Sequence, residues 1–327
     1  MVIPILLLIF GLILLIKGGD CFVDGASGIA RHLHIPELLI GATVVSVGTT
    51  LPEVMVSSGA ALQGSGSLAY GNAIGSILCN TCLIAALTVA VKPGAATRST
   101  LILPISFFFA SAVLYCGTAY FTGYFSRAFG IILLSIFLIY MVSTVLRMKK
   151  NPQAADSPEE NEEASPNEPN DGIFRCLFGL VLGAALIAFG SDFLVDNAII
   201  LAERFGISEK VIGLTIVALG TSLPELVTAV TSLVKGHSAL SLGNIIGANL
   251  FNLILVSGAA ITICPFELPV SATLAGKNAS LVLDLPIMLG AMAVLTLPTL
   301  WWEKLSRWQG FLLLAVYAVF CTIQFTI

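Results

Sequence analysis

Gly41-Ala-Thr-Val-Val-Ser-Val-Gly-Thr-Thr-Leu-Pro-Glu53 places a proline and a carboxylate at the end of an otherwise apolar run. A charge near the centre of a bilayer costs at least about 2.5–3.5 kcal/mol on insertion scales, so such a group marks an ion or substrate site by default. Pro52 has no N–H to offer the carbonyl of Gly48, and its ring crowds that turn. The helix is therefore expected to break or kink around Gly48 to Thr50, freeing carbonyl oxygens. Residues 213–225 then read GLTIVALGTSLPE, so Gly220-Thr221-Ser222-Leu223-Pro224-Glu225 repeats the motif a constant 172 positions later.

The composition around these motifs is that of a membrane protein. Hydrophobic residues make up 57% and charged residues 10% of 327, with a mean hydropathy of +0.98, far from soluble averages. The apolar runs are about 20 residues long, as spanning helices require, rather than the alternating segments of roughly ten that build barrels. Val2 to Ile16 resembles a signal-peptide core, but Lys17-Gly-Gly-Asp20 is no small-residue cleavage site, so the run is read as a mature helix. The formal charge of -4 hides seven acids and no base in 151–172; without them the body is +3, which gives no case for nucleic acid. Seven cysteines scattered through apolar runs argue against a disulfide framework. The spacing of Cys79 and Cys82 is one helical turn, and packing is the reading given to it.

Ten apolar segments are expected, at about 1–19, 36–62, 68–91, 99–120, 126–147, 173–191, 208–234, 239–263, 280–299 and 308–326. With the N-terminus outside, the odd-numbered joints hold eleven Lys and Arg and the even-numbered ones four, which places both termini outward and the linker 151–172 inward. That linker has four prolines and no large apolar side chain, so it is read as a solvated tether. It divides the chain into 1–150 and 173–327, each with five segments. Because five is odd, the halves must be inverted with respect to one another. The alignment has no gap: eight of 13 positions agree between 41–53 and 213–225, and six of ten between Gly71–Asn80 (GNAIGSILCN) and Gly243–Asn252 (GNIIGANLFN). The fold class is therefore an all-α membrane protein of ten transmembrane helices in two inverted five-helix repeats, the pattern of transporters with a midplane site.

The residues available to such a site carry oxygen. Thr49 lies four residues and Ser46 seven before Glu53, on one face where the backbone stays helical. Asn72, Ser76 and Asn80 are spaced by four, and Gly71 and Gly75 allow a neighbouring helix to approach closely. Glu53 and Glu225 can converge with Asn80 and Asn252. Carboxylates, amides, hydroxyls and carbonyls without His or Cys suit calcium, magnesium or sodium, and two carboxylates match one Ca²⁺ in charge.

With its two GTxLPE-like and two GNxxGxNxxN-like blocks, the chain resembles the calcium/cation antiporter superfamily, specifically prokaryotic sodium/calcium exchangers, over nearly its whole length. The resemblance implies a core of the second, third, seventh and eighth helices around four cation sites, with long, tilted first and sixth helices sliding across it. It implies Glu53 and Glu225 as shared ligands of calcium and sodium, and oxygens of Thr49 and Thr221 completing the calcium site. Backbone at Ser46 and Ala218 and the Ser76 hydroxyl would serve sodium, with Asn80 and Asn252 at the middle site; Thr50 and Ser222, in the same motifs, join the candidate set. Archaeal members carry Asp where this chain has Asn252 and commonly Ser where it has Ala248. The implied activity is Na⁺/Ca²⁺ antiport by alternating access in a bacterial inner membrane, with Ca²⁺/H⁺ exchange as the alternative. Ca²⁺ and Na⁺ are then substrates, the bilayer is the surroundings, and neither a cofactor nor an obligatory protein partner is expected.

Other features have structural readings. Asp20, Asp24, Asp192 and Asp196 are expected to close the first helix of each half. His32, His34 and His237 fall in joints, and Trp301, Trp302 and Trp308 flank the last joint as interfacial anchors. Gly25-Ala-Ser27-Gly28 resembles the GxSG of an intramembrane hydrolase, a chemistry that needs an embedded histidine as base. With all three histidines in joints, no enzymatic activity is expected.

Overall fold

The computed structural model describes residues 2–32, 46–94, 96, 98–150, 172–226, 229, 238–270, 272–274 and 276–326. His34, His237 and the linker up to residue 171 lie outside them. Helix α1 is Val2–His32, α2 is Ser46–Thr49, α3 is Leu51–Leu62 and α4 spans Gly66–Val91. Helices α5 (Arg98–Thr122), α6 (Arg127–Lys150) and α7 (Ile173–Phe205) follow. Helix α8 runs from Glu209–Ile212 through a π turn at Gly213–Val217 to Ala218–Thr221. Helix α9 begins as Ser238–Phe251 and continues through Asn252–Val256 to Ser257–Ile263. Helices α10 (Ser280–Trp302) and α11 (Arg307–Thr326) end the chain.

Among the described residues eight helices are long and apolar enough to cross a bilayer, and the chain is a multi-pass membrane protein. The second and seventh expected segments appear as broken helices, α2–α3 and α8, whose outer flanks lie beyond the described residues. Large apolar side chains such as Phe121, Phe174 and Trp301 point outward at 84–86% exposure, as a lipid-facing surface requires.

The acidic pairs do not close their helices. Helix α1 continues past Asp20 and Asp24, and α7 past Asp192 and Asp196. The end of the apolar run is not the end of helical propensity, and the Lys17 and Asp20 side chains lie on the protein surface, paired at 3.6 Å one turn apart. The stop in α7 is Gly206, which adopts φ +63° while Ile207 N–H bonds back to Ala202 O at 3.0 Å. With 31 and 33 residues, α1 and α7 are about 47 and 50 Å long, well beyond the roughly 30 Å of hydrocarbon.

These two helices lie against one another along a glycine seam. A Cβ on Gly11 would stand 2.8 Å from Gly190 O, one on Gly183 would stand 2.7 Å from Gly18 O, and one on Gly25 would stand 2.6 Å from Cys176 O. As one number rises the partner falls, so the helices are antiparallel. Gly183 and Gly190 are also the copies of Gly11 and Gly18 at the 172-residue offset, so the seam is self-complementary, like a two-fold interface. The Gly25-Ala-Ser-Gly28 element belongs to this seam. Each long helix then reaches the opposite half's broken helix: Leu12 of α1 covers Gly220, and Ser191 Oγ of α7 donates to Met55 O at 2.9 Å.

Elsewhere, polar side chains serve packing. Pro298 in α10 cannot donate to Val294 O, and the Gln309 amide of α11 donates there instead at 2.8 Å. Two antiparallel pairs, β1 (Tyr124–Phe125) with β2 (Phe266–Glu267) and β3 (Thr273–Leu274) with β4 (Lys277–Asn278), order the joints. Cys79 and Cys82 are free and buried, as packing residues are.

The seam makes a direct prediction. In Gly183→Ala the new methyl would meet Phe22 N at 2.4 Å, whereas at Gly179 the nearest atom is 3.5 Å away. Gly183→Ala should destabilise by about 1–3 kcal/mol and lower the melting midpoint in detergent, while Gly179→Ala leaves it unchanged or raises it.

Candidate cation site

The two proline motifs produce the same local break. Thr50 leaves the helix as a turn with φ −89° and ψ −2° between α2 and α3, and Ser222 does so with φ −86° and ψ 10° after α8. Thr50 N–H falls back on Val47 O at 3.2 Å, a tightened bond one residue short of the helical partner. Each break presents its hydroxyls and carboxylate to the protein interior: Thr50, Glu53 and Ser222 are fully buried, Thr221 and Glu225 nearly so.

The halves meet at these breaks. Ser222 Oγ donates to Glu53 Oε1 at 3.3 Å. Thr221 Oγ1 donates to Asn72 Oδ1 at 3.2 Å, and the same Asn72 amide donates to Ser57 Oγ at 2.9 Å and Glu53 O at 3.3 Å. Asn72 therefore fastens the α3 break to the α8 break and uses both amide ends to do so. Glycines permit it: a Cβ on Gly71 would stand 2.5 Å from Lys210 O, and one on Gly75 would stand 2.6 Å from Leu214 Cα. The close approach expected of Gly71 and Gly75 is thus realised against α8.

Next to this junction both halves carry a π turn, beginning at Asn80 in α4 and at Asn252 in α9. The two starts are again 172 residues apart. A π turn adds one residue to the helix and is frequent at functional sites. The turn at Asn252 packs against α3, which carries Glu53, and against α4. Both amide atoms of Asn80 and Asn252, Ser76 Oγ and Glu53 Oε2 are buried with no hydrogen-bond partner in the protein. Buried polar atoms are rarely left so. A cluster of oxygens with spare lone pairs is what a desolvated hard cation takes up, and among the described residues no group of three or more His, Cys, Asp and Glu competes as a metal site.

Of the other sequence candidates, Thr49 is half-buried beside the α2 break, Ala218 is fully buried in α8, and Ser46 opens α2. Sequence reasoning did not single out Ser57, Thr81 or Asn249. Asn249 donates to Thr81 Oγ1 at 2.8 Å and to Met292 Sδ at 3.2 Å, with its Oδ1 unpartnered. Its signal was present, since it is the second asparagine of GNIIGANLFN, one turn before Asn252.

The profile of the family described as sodium/calcium exchanger protein matches residues 3–146 and 176–326. The chain belongs to that family. Within it, the chain is 37% identical over 308 residues to the putative antiporter CaxA of Alkalimonas amylolytica, covering 94% of this chain and 93% of that protein. It is 30% identical over 360 residues to the sodium/calcium exchanger MaX1 of Methanosarcina acetivorans, covering 98% of each. The structure of the sodium-calcium exchanger NCX_Mj soaked with Na⁺ and Sr²⁺ superposes with a TM-score of 0.62 at 30% identity, covering 97% of each chain. These relatives bear names of transporters, not of enzymes.

Asn72 is the residue on which the junction turns. Asn72→Leu strips partners from Ser57, Thr221 and Glu53 O at once. Ser57 and Thr221 keep Ala69 O and Ala218 O as partners, so the loss is that of three net hydrogen bonds at about 0.5–1.5 kcal/mol each, and the variant should melt well below the parent in detergent, with a larger drop than Asn249→Leu at a site outside the junction.

Proposed function

We propose that this chain is a secondary active antiporter that exchanges Na⁺ for Ca²⁺, with Glu53 and Glu225 ligating either one Ca²⁺ or several Na⁺ but not both. The observation that carries the reading is the junction itself, where Ser222 and Thr221 of one motif bond Glu53 and Asn72 of the other half and where Glu225, Ser76, Asn80 and Asn252 are buried polar groups on the elements around it. The relatives named as sodium/calcium exchangers, and the NCX_Mj structure obtained with Na⁺ and Sr²⁺, support the same ions. In this reading Thr49 and Thr221 complete the calcium site. Backbone oxygens at Ser46 and Ala218 and the Ser76 hydroxyl take sodium, Thr50 and Ser222 line the breaks, and Asn80 and Asn252 stand at the middle position.

The architecture we infer is ten transmembrane helices in inverted halves, 1–150 and 173–327, joined by a cytoplasmic linker 151–172. Both termini face outward from a bacterial inner membrane. The antiparallel glycine seam and the paired π turns support this inversion. Coupling follows from mutual exclusion: each ion set stabilises occluded states that the empty, charged site does not, so net movement of one ion requires the other. A tenfold sodium gradient is worth about 1.4 kcal/mol per ion, and one charge across 100 mV about 2.3 kcal/mol. Three sodium ions per calcium would supply roughly 6.5 kcal/mol, enough for between four and five decades of calcium gradient, against about two decades for electroneutral exchange. Efficient extrusion favours three.

Sodium-gradient-driven uptake of radioactive calcium into proteoliposomes tests the proposal. The wild-type chain should accumulate calcium in proportion to the sodium gradient. Losing a buried charged ligand is worth about 3–5 kcal/mol, so Glu53→Gln/Glu225→Gln should be weaker by at least about a hundredfold. Robust uptake by that variant would sink the assignment, and uptake that follows a pH gradient and ignores sodium would establish Ca²⁺/H⁺ exchange instead.

A further inference from the structure

Helix α8 carries a second buried polar contact, remote from the junction. The Lys210 ammonium lies 3.1 Å from Asp284 Oδ2 and 3.5 Å from Ser280 Oγ, and the Gln324 amide donates to Asp284 Oδ1 at 2.5 Å. The Lys210 and Asp284 side chains are 1% and 0% exposed. This is a dry ion pair linking α8 to α10 and α11. Buried pairs add little net stability over apolar residues of the same size, because desolvation offsets their attraction; fixing one register among several is their best-attested use.

The register at stake can be identified. Along α4, glycines make the contact with α8: Gly71 meets Lys210 O and Gly213, and Gly75 meets Leu214 and Ala218. Apolar side chains flank these glycines, Leu214 with Tyr70 and Ile74 among them, but such contacts are non-directional and single out no axial register as a directed polar contact does. Yet Thr221 has to arrive at Asn72 Oδ1, and Ser222 at Glu53 Oε1, eleven and twelve residues beyond Lys210, a distance of about 16–18 Å. The ion pair grips α8 at the end where its packing on α4 begins. The 172-residue offset maps Lys210 and Asp284 onto Leu38 and Ala112, so the grip belongs to the second half alone.

We propose that Lys210 is a positioning residue: paired with Asp284, it fixes the axial register of α8 on α4 and thereby the separation of Thr221 and Ser222 from Asn72 and Glu53 on which cation affinity depends. The proposal rests on the reading of that junction as the exchange site. Removing the pair lets α8 slip and misplaces the hydroxyls. Affinity then falls while the capacity to turn over remains.

The test is calcium uptake by the full chain in proteoliposomes, with KM and maximal rate normalised to folded protein. The variant Lys210→Met/Asp284→Leu, which leaves no unpaired charge, should raise the KM for Ca²⁺ about tenfold, the worth of one well-placed hydrogen bond, with the maximal rate within about twofold of wild type. Lys210→Arg should keep the wild-type KM, and Gln324→Met should raise it about threefold, as expected for a partial loss of the same contact. A purely structural pair would lower the melting midpoint and the yield and leave KM alone. Unchanged KM in the double variant overturns the proposal; should that variant fail to fold, unchanged KM in Gln324→Met overturns it. If wild-type vesicles show no exchange, the functional reading fails and the proposal falls with it. If they exchange normally and the variants keep their KM, the positioning role alone is lost.

Discussion

Two carboxylates buried in a protein that spans a bilayer set the terms for everything around them. An ionised Glu53 or Glu225 is tolerable only where dipoles, hydrogen bonds or cations replace the lost water. The chain meets this need by breaking one helix in each half beside the carboxylate. Hydroxyls from the second half then point at the first. Ser222 reaches Glu53, Thr221 reaches Asn72, and Asn72 holds the α3 backbone behind them. Much of the remaining architecture brings those breaks together: glycines at 71, 75 and 213 admit the close crossing, and α1 and α7 each close over the opposite half's break.

Two packing styles coexist, and their difference is mechanical. The α1–α7 pair meets backbone to backbone at glycines of seven-residue spacing, with Phe10 packed edge-on against Phe193 beside them. The inner bundle is tied by side-chain hydrogen bonds and one dry ion pair that admit only particular distances. A glycine seam between the outer helices and a hydrogen-bonded inner bundle is a division between backbone packing and directed side-chain contacts. Such a division suits alternating access, in which the gate moves and the ligands do not.

Much of this was legible in the sequence because it rests on rules of short range. Proline four residues after Gly48 and after Gly220 foretold both breaks, and the constant offset made each half a check on the other. The glycines of GNAIGSILCN foretold the close crossing of α4. What escaped has physical reasons. Apolar composition tracks the hydrocarbon and not the hydrogen-bond ladder, so α1 and α7 outran the expected ends at Asp20 and Asp192, although Gly206 was available as the stop. The π turns at Asn80 and Asn252 hang on a single extra residue that no composition signals. Lys210 stood at the edge of the seventh expected segment and Asp284 inside the ninth, and neither was paired with the other, because no local rule pairs side chains 74 residues apart.

The cross-half bond between Ser222 and Glu53 also bears on biogenesis. The partners are separated by 169 residues of chain. At about 5–20 residues per second of synthesis, Glu53 is made roughly ten to thirty seconds before its partner. During that interval the first half has to shelter a carboxylate with its own atoms, the Asn72 amide behind α3 among them, or keep it at the headgroups until the second half arrives. In the second case, assembly of the halves is also the moment at which the charge is committed to the membrane interior.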